Sequence, residues 1–167
     1  MHKHASSSAR RILLFFTIVF LITITDQLSK LWIRTHLTLG QSLPENGFFR
    51  LTYGQNTGAV FGLFHGNNGT ITILVVFEAI VILVYFFYVR VRYPFLDNIL
   101  NTISTGLILG GLLGNLIDRL RLGHVTDYIS VGIWPNFNLA DSAGVVGIFL
   151  FAFSILGVSR NNDPGTQ

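Results

Sequence analysis

Four runs of apolar residues constrain this chain more than anything else in it. They cover about residues 12–33, 70–89, 98–117 and 140–159. Each approaches the ~20 residues a helix needs to cross ~30 Å of hydrocarbon. Inside lipid every backbone N–H and C=O must be paired within the protein, so such runs are expected to be helices. Only 11% of the 167 residues are charged, against roughly 25% in an average globular chain. The expected fold is an all-α polytopic membrane protein with four transmembrane helices, one membrane-embedded domain over residues 1–167.

An even number of spans puts both termini on one side. Arg10–Arg11 directly before the first span favours a cytoplasmic location for that side. The remaining basic residues are nearly balanced between the two sides. Lys3, Arg10 and Arg11 followed by ILLFFTIVFLITIT resemble a secretory signal, but DQLSK follows where a small-residue cleavage site would stand. A retained first span is therefore expected. The net charge of +3 is scattered, which fits membrane flanks better than a nucleic-acid surface. With no cysteine there is no disulfide, thiolate nucleophile or Cys-ligated metal.

Both connections on the outer side are longer than the inner one. Residues 35–69 carry an alternating FFRLTY stretch with turn signals at Gly40, Pro44, Asn46–Gly47 and Gly54. AVFGLF reads as a further strand or a short interfacial segment. Residues 120–138 contain HVTDYISV, which also alternates, with Val125, Asp127 and Ile129 on one face. A small β-rich extracytoplasmic platform is expected on the outer membrane surface, with Phe48, Phe49, Tyr53 and Trp134 at the interface. Asn161 to Gln167 reads as a frayed tail. In the third span Gly106, Gly110 and Gly114 lie four apart, a ladder that lets another helix approach closely.

Ionisable groups in or beside the spans are the informative residues, because lipid makes them expensive. Asp26 and Lys30 are spaced to pair on one helix face. Asn115, Asp118 and Arg119 form a second cluster, open to internal pairing or to binding a polar substrate backbone. Glu78 lies near the middle of span two with no evident role.

Asp127 and Asp141 differ from these, because neither has a basic residue three or four positions away. A fold-back through Gly132 and Pro135 would bring Asp127, on a strand, to Asp141 in the first turn of span four. Two adjacent carboxylates can split one titration, one serving as base and the other as acid. Such a pair can activate water against an amide carbonyl. Alternatively Asp141 caps a helix, where the positive helix end favours it, and Asp127 is a solvated strand residue. Spacing alone favours that second reading. Metalloprotease HExxH and hydrolase GxSxG patterns are absent, and the five histidines lack zinc spacing.

Five motifs in order change the balance. They are DQLSK (26–30), NTGAVF (56–61), GGLLGNLIDR (110–119), GHVTDYI (123–129) and FNLADS (137–142). Together, on four spans, they closely resemble the lipoprotein signal peptidases, or signal peptidase II. The resemblance implies an aspartic peptidase of the bacterial cytoplasmic membrane, free of metal and cofactor. It would remove signal peptides from diacylglyceryl-modified prolipoproteins, cutting before the lipid-modified cysteine near the outer face. It places the catalytic pair on Asp127 and Asp141. Substrate contacts fall on Asn56, Gly111, Asn115, Arg119, Phe137, Asn138 and Ala140, supported by Asp26, Lys30 and Asp118. Glu78 stands outside the pattern, Tyr128 replaces a more usual phenylalanine, and Val60 a common alanine.

Two other classes compete. A small proton-coupled transporter or channel would use Asp26, Glu78 and Asp118 as intramembrane carboxylates. Against it, the polar residues other than Glu78 gather at the outer ends of spans one, three and four. An assembly subunit held by the glycine face would leave Asp141 and the Asn115/Arg119 face without a purpose.

Overall fold

The computed structural model describes residues 2–58 and 67–161, with side chains described for residues 8–58 and 67–156. The AVFGLF stretch, Val60 and the tail beyond residue 161 lie outside the described residues. Helix α1 covers His2–His36, and α2 runs over Asn68–Arg92, passing through a π-helical turn at Tyr85–Val89. Helix α3 covers Ile99–Leu122 and α4 Leu139–Asn161. All four contain stretches long and apolar enough to span a membrane, as expected.

The helices extend past the apolar runs. Span one continues to His36 and span three to Leu122, because Lys30, Asp118 and Arg119 are paired inside the protein rather than left to lipid. Gly123 ends α3 with φ +77°, the left-handed backbone that glycine adopts without strain. The second connecting segment therefore starts at Gly123, not at residue 120.

Helix α3 is central and packs on α1, α2 and α4. The glycine ladder explains part of this. A Cβ on Gly110 would stand 2.8 Å from Ile22 Cβ, and one on Gly114 would stand 2.6 Å from Asp26 Oδ2. Gly111 faces the other way, where a Cβ would sit 2.4 Å from the Ala140 carbonyl oxygen on α4. That neighbour is backbone and cannot turn aside. Gly111→Ala is therefore expected to cost about 1–3 kcal/mol from overpacking. That lowers Tm by about 5 °C in a chain of this size. Gly69→Ala, with nothing within 4 Å, is the matched control, and thermal unfolding in detergent distinguishes the two.

The apolar core between α1, α2 and α3 is built on Phe15, Val19, Ala79, Phe86 and Leu109. The Phe15 and Phe86 rings stack at 3.8 Å. At the same end of the bundle Asp97 ties α1 to α2, pairing with both Arg11 and Arg90. Glu78 is exposed on the free face of α2, so it lies on no polar path through the bundle.

The platform at the other end is a three-stranded antiparallel sheet of β1 (Ser42–Leu43), β2 (Phe49–Asn56) and β3 (Val125–Val131), in that order. Strand β2 alternates as its sequence predicts, but Phe49 and Leu51 face outward while Arg50 and Thr52 are half-buried. Phe48 and Trp134 are also exposed. Tyr53 instead packs inward with Ile33, Leu37 and Tyr128, fastening the sheet to α1. The β2–β3 register shifts between Leu51 and Gly54, which sets Gly54 opposite Asp127. After β3 the chain turns back at Gly132 (φ +53°). Phe137 then pairs with Ile129, with its N–H and C=O both bonded to that residue. This return delivers the chain to the start of α4.

Candidate active site

Asp127 sits in the middle of β3 and Asp141 in the first turn of α4. Asn138 joins them. Its Nδ2 donates to Asp127 Oδ1 at 2.7 Å, and its Oδ1 accepts the Asp141 N–H at 2.9 Å. In return Asp141 Oδ2 accepts the Asn138 N–H at 3.1 Å. This is a capping box, in which the residue before a helix and the third residue inside it satisfy each other's free N–H groups. Capping and pairing with Asp127 are thus one arrangement rather than two competing ones.

Each carboxylate has a further donor. Asn56, at the end of β2, donates to Asp127 Oδ2 at 2.8 Å. Asn115 on α3 donates to Asp141 Oδ1 at 2.8 Å. Asn115 Oδ1 in turn accepts from Lys30 Nζ at 2.8 Å and from Asn138 Nδ2 at 3.1 Å. These contacts fix the orientation of both asparagine amides, since each oxygen faces a donor.

A buried ionic layer lies behind. Lys30 Nζ is 2.8 Å from Asp26 Oδ2 and 3.7 Å from Asp118 Oδ2, and both Asp26 and Lys30 are 0% exposed. Asp26 Oδ1 accepts the Ala140 N–H at 3.0 Å, a donor the start of α4 would otherwise leave unpaired. Asp118 Oδ2 accepts the Thr126 N–H at 2.9 Å, one residue before Asp127. The ionic layer therefore holds the backbone beside each aspartate.

Arg119 faces the opposite rim. Its Nη2 donates to the Gly58 carbonyl at 2.8 Å and its Nη1 to Asn68 Oδ1 at 3.1 Å. Its Nε is buried without a partner among the described residues. Gly111 and Ala140 form the α3–α4 contact, and half-buried Phe137 stands beside an open apolar hollow of about 440 Å³ lined with Phe48, Val131, Ile133 and Trp134.

Asp127 is 4% exposed. Burial, and secondly the charge of Asp141, push its pKa up to about 6, although Asn56, Asn138 and Lys30 pull it down. Among the described residues, no group of three His, Cys, Asp or Glu side chains is placed to hold a metal ion.

The structure brings together every candidate site residue read from the sequence at the platform end of the bundle. It also adds Gln27, Ser29, Arg34, Asn68 and Thr126. Gln27 donates to the Gly114 carbonyl, Arg34 to Thr126 Oγ1, and Ser29 meets Tyr128. Gln27 and Ser29 stand within DQLSK, but neutral side chains carry no burial penalty large enough to draw notice in a sequence.

Comparison with known proteins identifies the family and the fold. The family described as signal peptidase (SPase) II matches residues 18–157. A lipoprotein signal peptidase of Dehalococcoides mccartyi is 45% identical over 83% of this chain and 88% of its own. One from Moorella thermoacetica is 43% identical over 85% and 92%. A bacterial membrane enzyme solved by the in meso method at 2.3 Å resolution superposes with TM-score 0.80 at 28% identity, covering 92% of this chain and 93% of that one. With four membrane-spanning helices and this similarity along nearly its full length, the chain belongs to the signal peptidase II family, the lipoprotein signal peptidases.

Proposed function

We propose that this peptidase is an aspartic one, with Asp127 and Asp141 sharing a proton and activating water. The observation that carries this reading is a buried Asp127 tied through Asn138 to a half-buried Asp141, with Asp127 raised toward neutrality. Asp141 is the base: it accepts from Asn115 and from the Asn138 backbone, and it sits at the positive end of α4. Asp127 holds the proton. Asp141 takes a proton from water as the water oxygen bonds to the scissile carbonyl carbon. Asp127 gives its proton to the carbonyl oxygen. Collapse of the tetrahedral intermediate breaks the C–N bond; one hydroxyl proton returns to Asp127 as the carboxyl C=O re-forms, and the proton gained by Asp141 leaves with the new amine.

The substrate is a diacylglyceryl-modified prolipoprotein, cut before the lipidated cysteine. Its signal helix enters sideways from lipid, so only the scissile peptide has to reach the pair. The Nε–H of Arg119, without a partner among the described residues, is a donor for a substrate carbonyl. Asn56 and Asn138, which hold Asp127 at rest, share the peptide backbone once it is bound.

The platform end faces out and both termini lie in the cytoplasm. Arg10, Arg11, Arg90 and Arg92 all lie at the end opposite the platform. At the platform end Lys30 and Arg119 are buried, which leaves fewer free cations to oppose that orientation.

The test is release of the signal peptide from a lipidated prolipoprotein by the purified protein. Cleavage is expected to survive chelators. Its kcat/KM is expected to bend downward as pH rises past about 6, because Asp127 then loses the proton it must donate. A profile flat from pH 5 to 9, or loss of cleavage on chelation, would count against the pair.

A further inference from the structure

The side chain next to Asp127 has no part in the chemistry above, yet it is buried at the junction of three elements. Tyr128 packs on Ile33 and Leu37 of α1. Its hydroxyl donates to Ser29 Oγ at 2.7 Å. Ser29 Oγ donates to the Asp26 carbonyl at 2.8 Å. The same Asp26 accepts the Ala140 N–H through its carboxylate.

These links close a circuit behind the site. It runs from Tyr128, beside Asp127, through Ser29 and Asp26 to Ala140, beside Asp141. Each aspartate is one peptide unit from an anchor on the same turn of α1. Burial, above all, raises the phenol pKa of Tyr128, so the hydroxyl stays neutral and keeps its proton for Ser29.

We propose that Tyr128 and Ser29 are positioning residues that set the separation of the Asp127 and Asp141 carboxylates. The inference rests on the aspartic reading above. Two acids that share one proton depend steeply on their spacing. When they drift apart their repulsion eases and the shared proton is held less tightly. A brace of two hydroxyls is suited to this, since it adds no charge to a region that already buries several.

The experiment uses the full chain and a diacylglyceryl-modified prolipoprotein. Tyr128→Phe, Ser29→Ala and the double variant each keep the apolar packing. Each single variant is expected to lower kcat 3- to 10-fold with KM within twofold of the parent. The basic limb of the pH profile moves to lower pH by about half a unit. The double variant is expected to be no worse than the weaker single one within twofold, because both remove the same link. Parent kcat with an unmoved limb in both singles would overturn the proposal. So would losses that multiply in the double variant. Asp127→Asn run in parallel separates the two readings. If it stays active the aspartic reading fails. If it is dead while Tyr128→Phe matches the parent, only the brace fails.

Discussion

Asp127→Asn and Asp141→Asn, each alone, are expected to reduce signal-peptide release by at least about 10⁴-fold, or about 5.5 kcal/mol of barrier. Asparagine preserves the shape of each carboxyl group but can neither take a proton from water nor hand one to the substrate. Losing either partner removes the shared proton, so the two single variants should be equally inactive and the double variant no worse. The fold should survive. The Asp141→Asn variant keeps a side-chain oxygen to accept the Asn138 N–H, and loses the charge-assisted bond from Asn115. A lost bond of that kind costs about 1–3 kcal/mol. Comparing signal-peptide release with the thermal midpoint of each variant separates chemistry from folding. Either single variant retaining a tenth of the parent rate would sink the pair.

The second large effect lies away from the chemistry. Lys30→Met is expected to destabilise the protein by about 3–5 kcal/mol, because it leaves buried acids without their partner. Asp26 then has only the Ala140 N–H and the Gln27 amide. Asp118 keeps Arg34 at 3.5 Å. Asn115 loses the donor that orients its amide toward Asp141. The thermal midpoint should fall by about 10 °C or more. Adding Asp26→Asn should recover much of the loss, since the asparagine oxygen still accepts from Ala140 and no charge is stranded. A midpoint within 2 °C of the parent for Lys30→Met alone would show that the ionic layer contributes little.

Much of this was legible in the sequence for a physical reason. Lipid forbids unpaired backbone and unpaired charge, so the spans and the Asp26–Lys30 pair stand out as exceptions to a strict rule. The ladder Gly106–Gly110–Gly114 predicts close helix approach by spacing, and α1 does approach there. The sharing of Asn138 between both aspartates was not legible. The return turn is marked in the sequence by Gly132, but which side chains meet beyond it depends also on a register shift in β2, which leaves no periodic trace. Capping and pairing are rivals at Asp141 only if one acid can serve one partner, and a capping box leaves its second oxygen free for Asn115. The outward face of Phe49 and Leu51 also inverts the usual alternation, with the apolar side chains exposed and Arg50 and Thr52 half-buried.

Helix α3 is the least apolar of the four spans and the one most buried. Its faces carry Asn101, Asn115, Asp118 and Arg119, and three of these are sheltered from solvent by neighbouring helices. A segment of this kind partitions poorly into a bilayer when it emerges from the insertion machinery by itself. Helix α1, made first, already offers Lys30 and Asp26 as partners. Biogenesis is therefore expected to follow architecture: docking on the first span would favour insertion of the third, and a change in α1 that weakens the pairing is expected to show as failed insertion before it shows as failed catalysis.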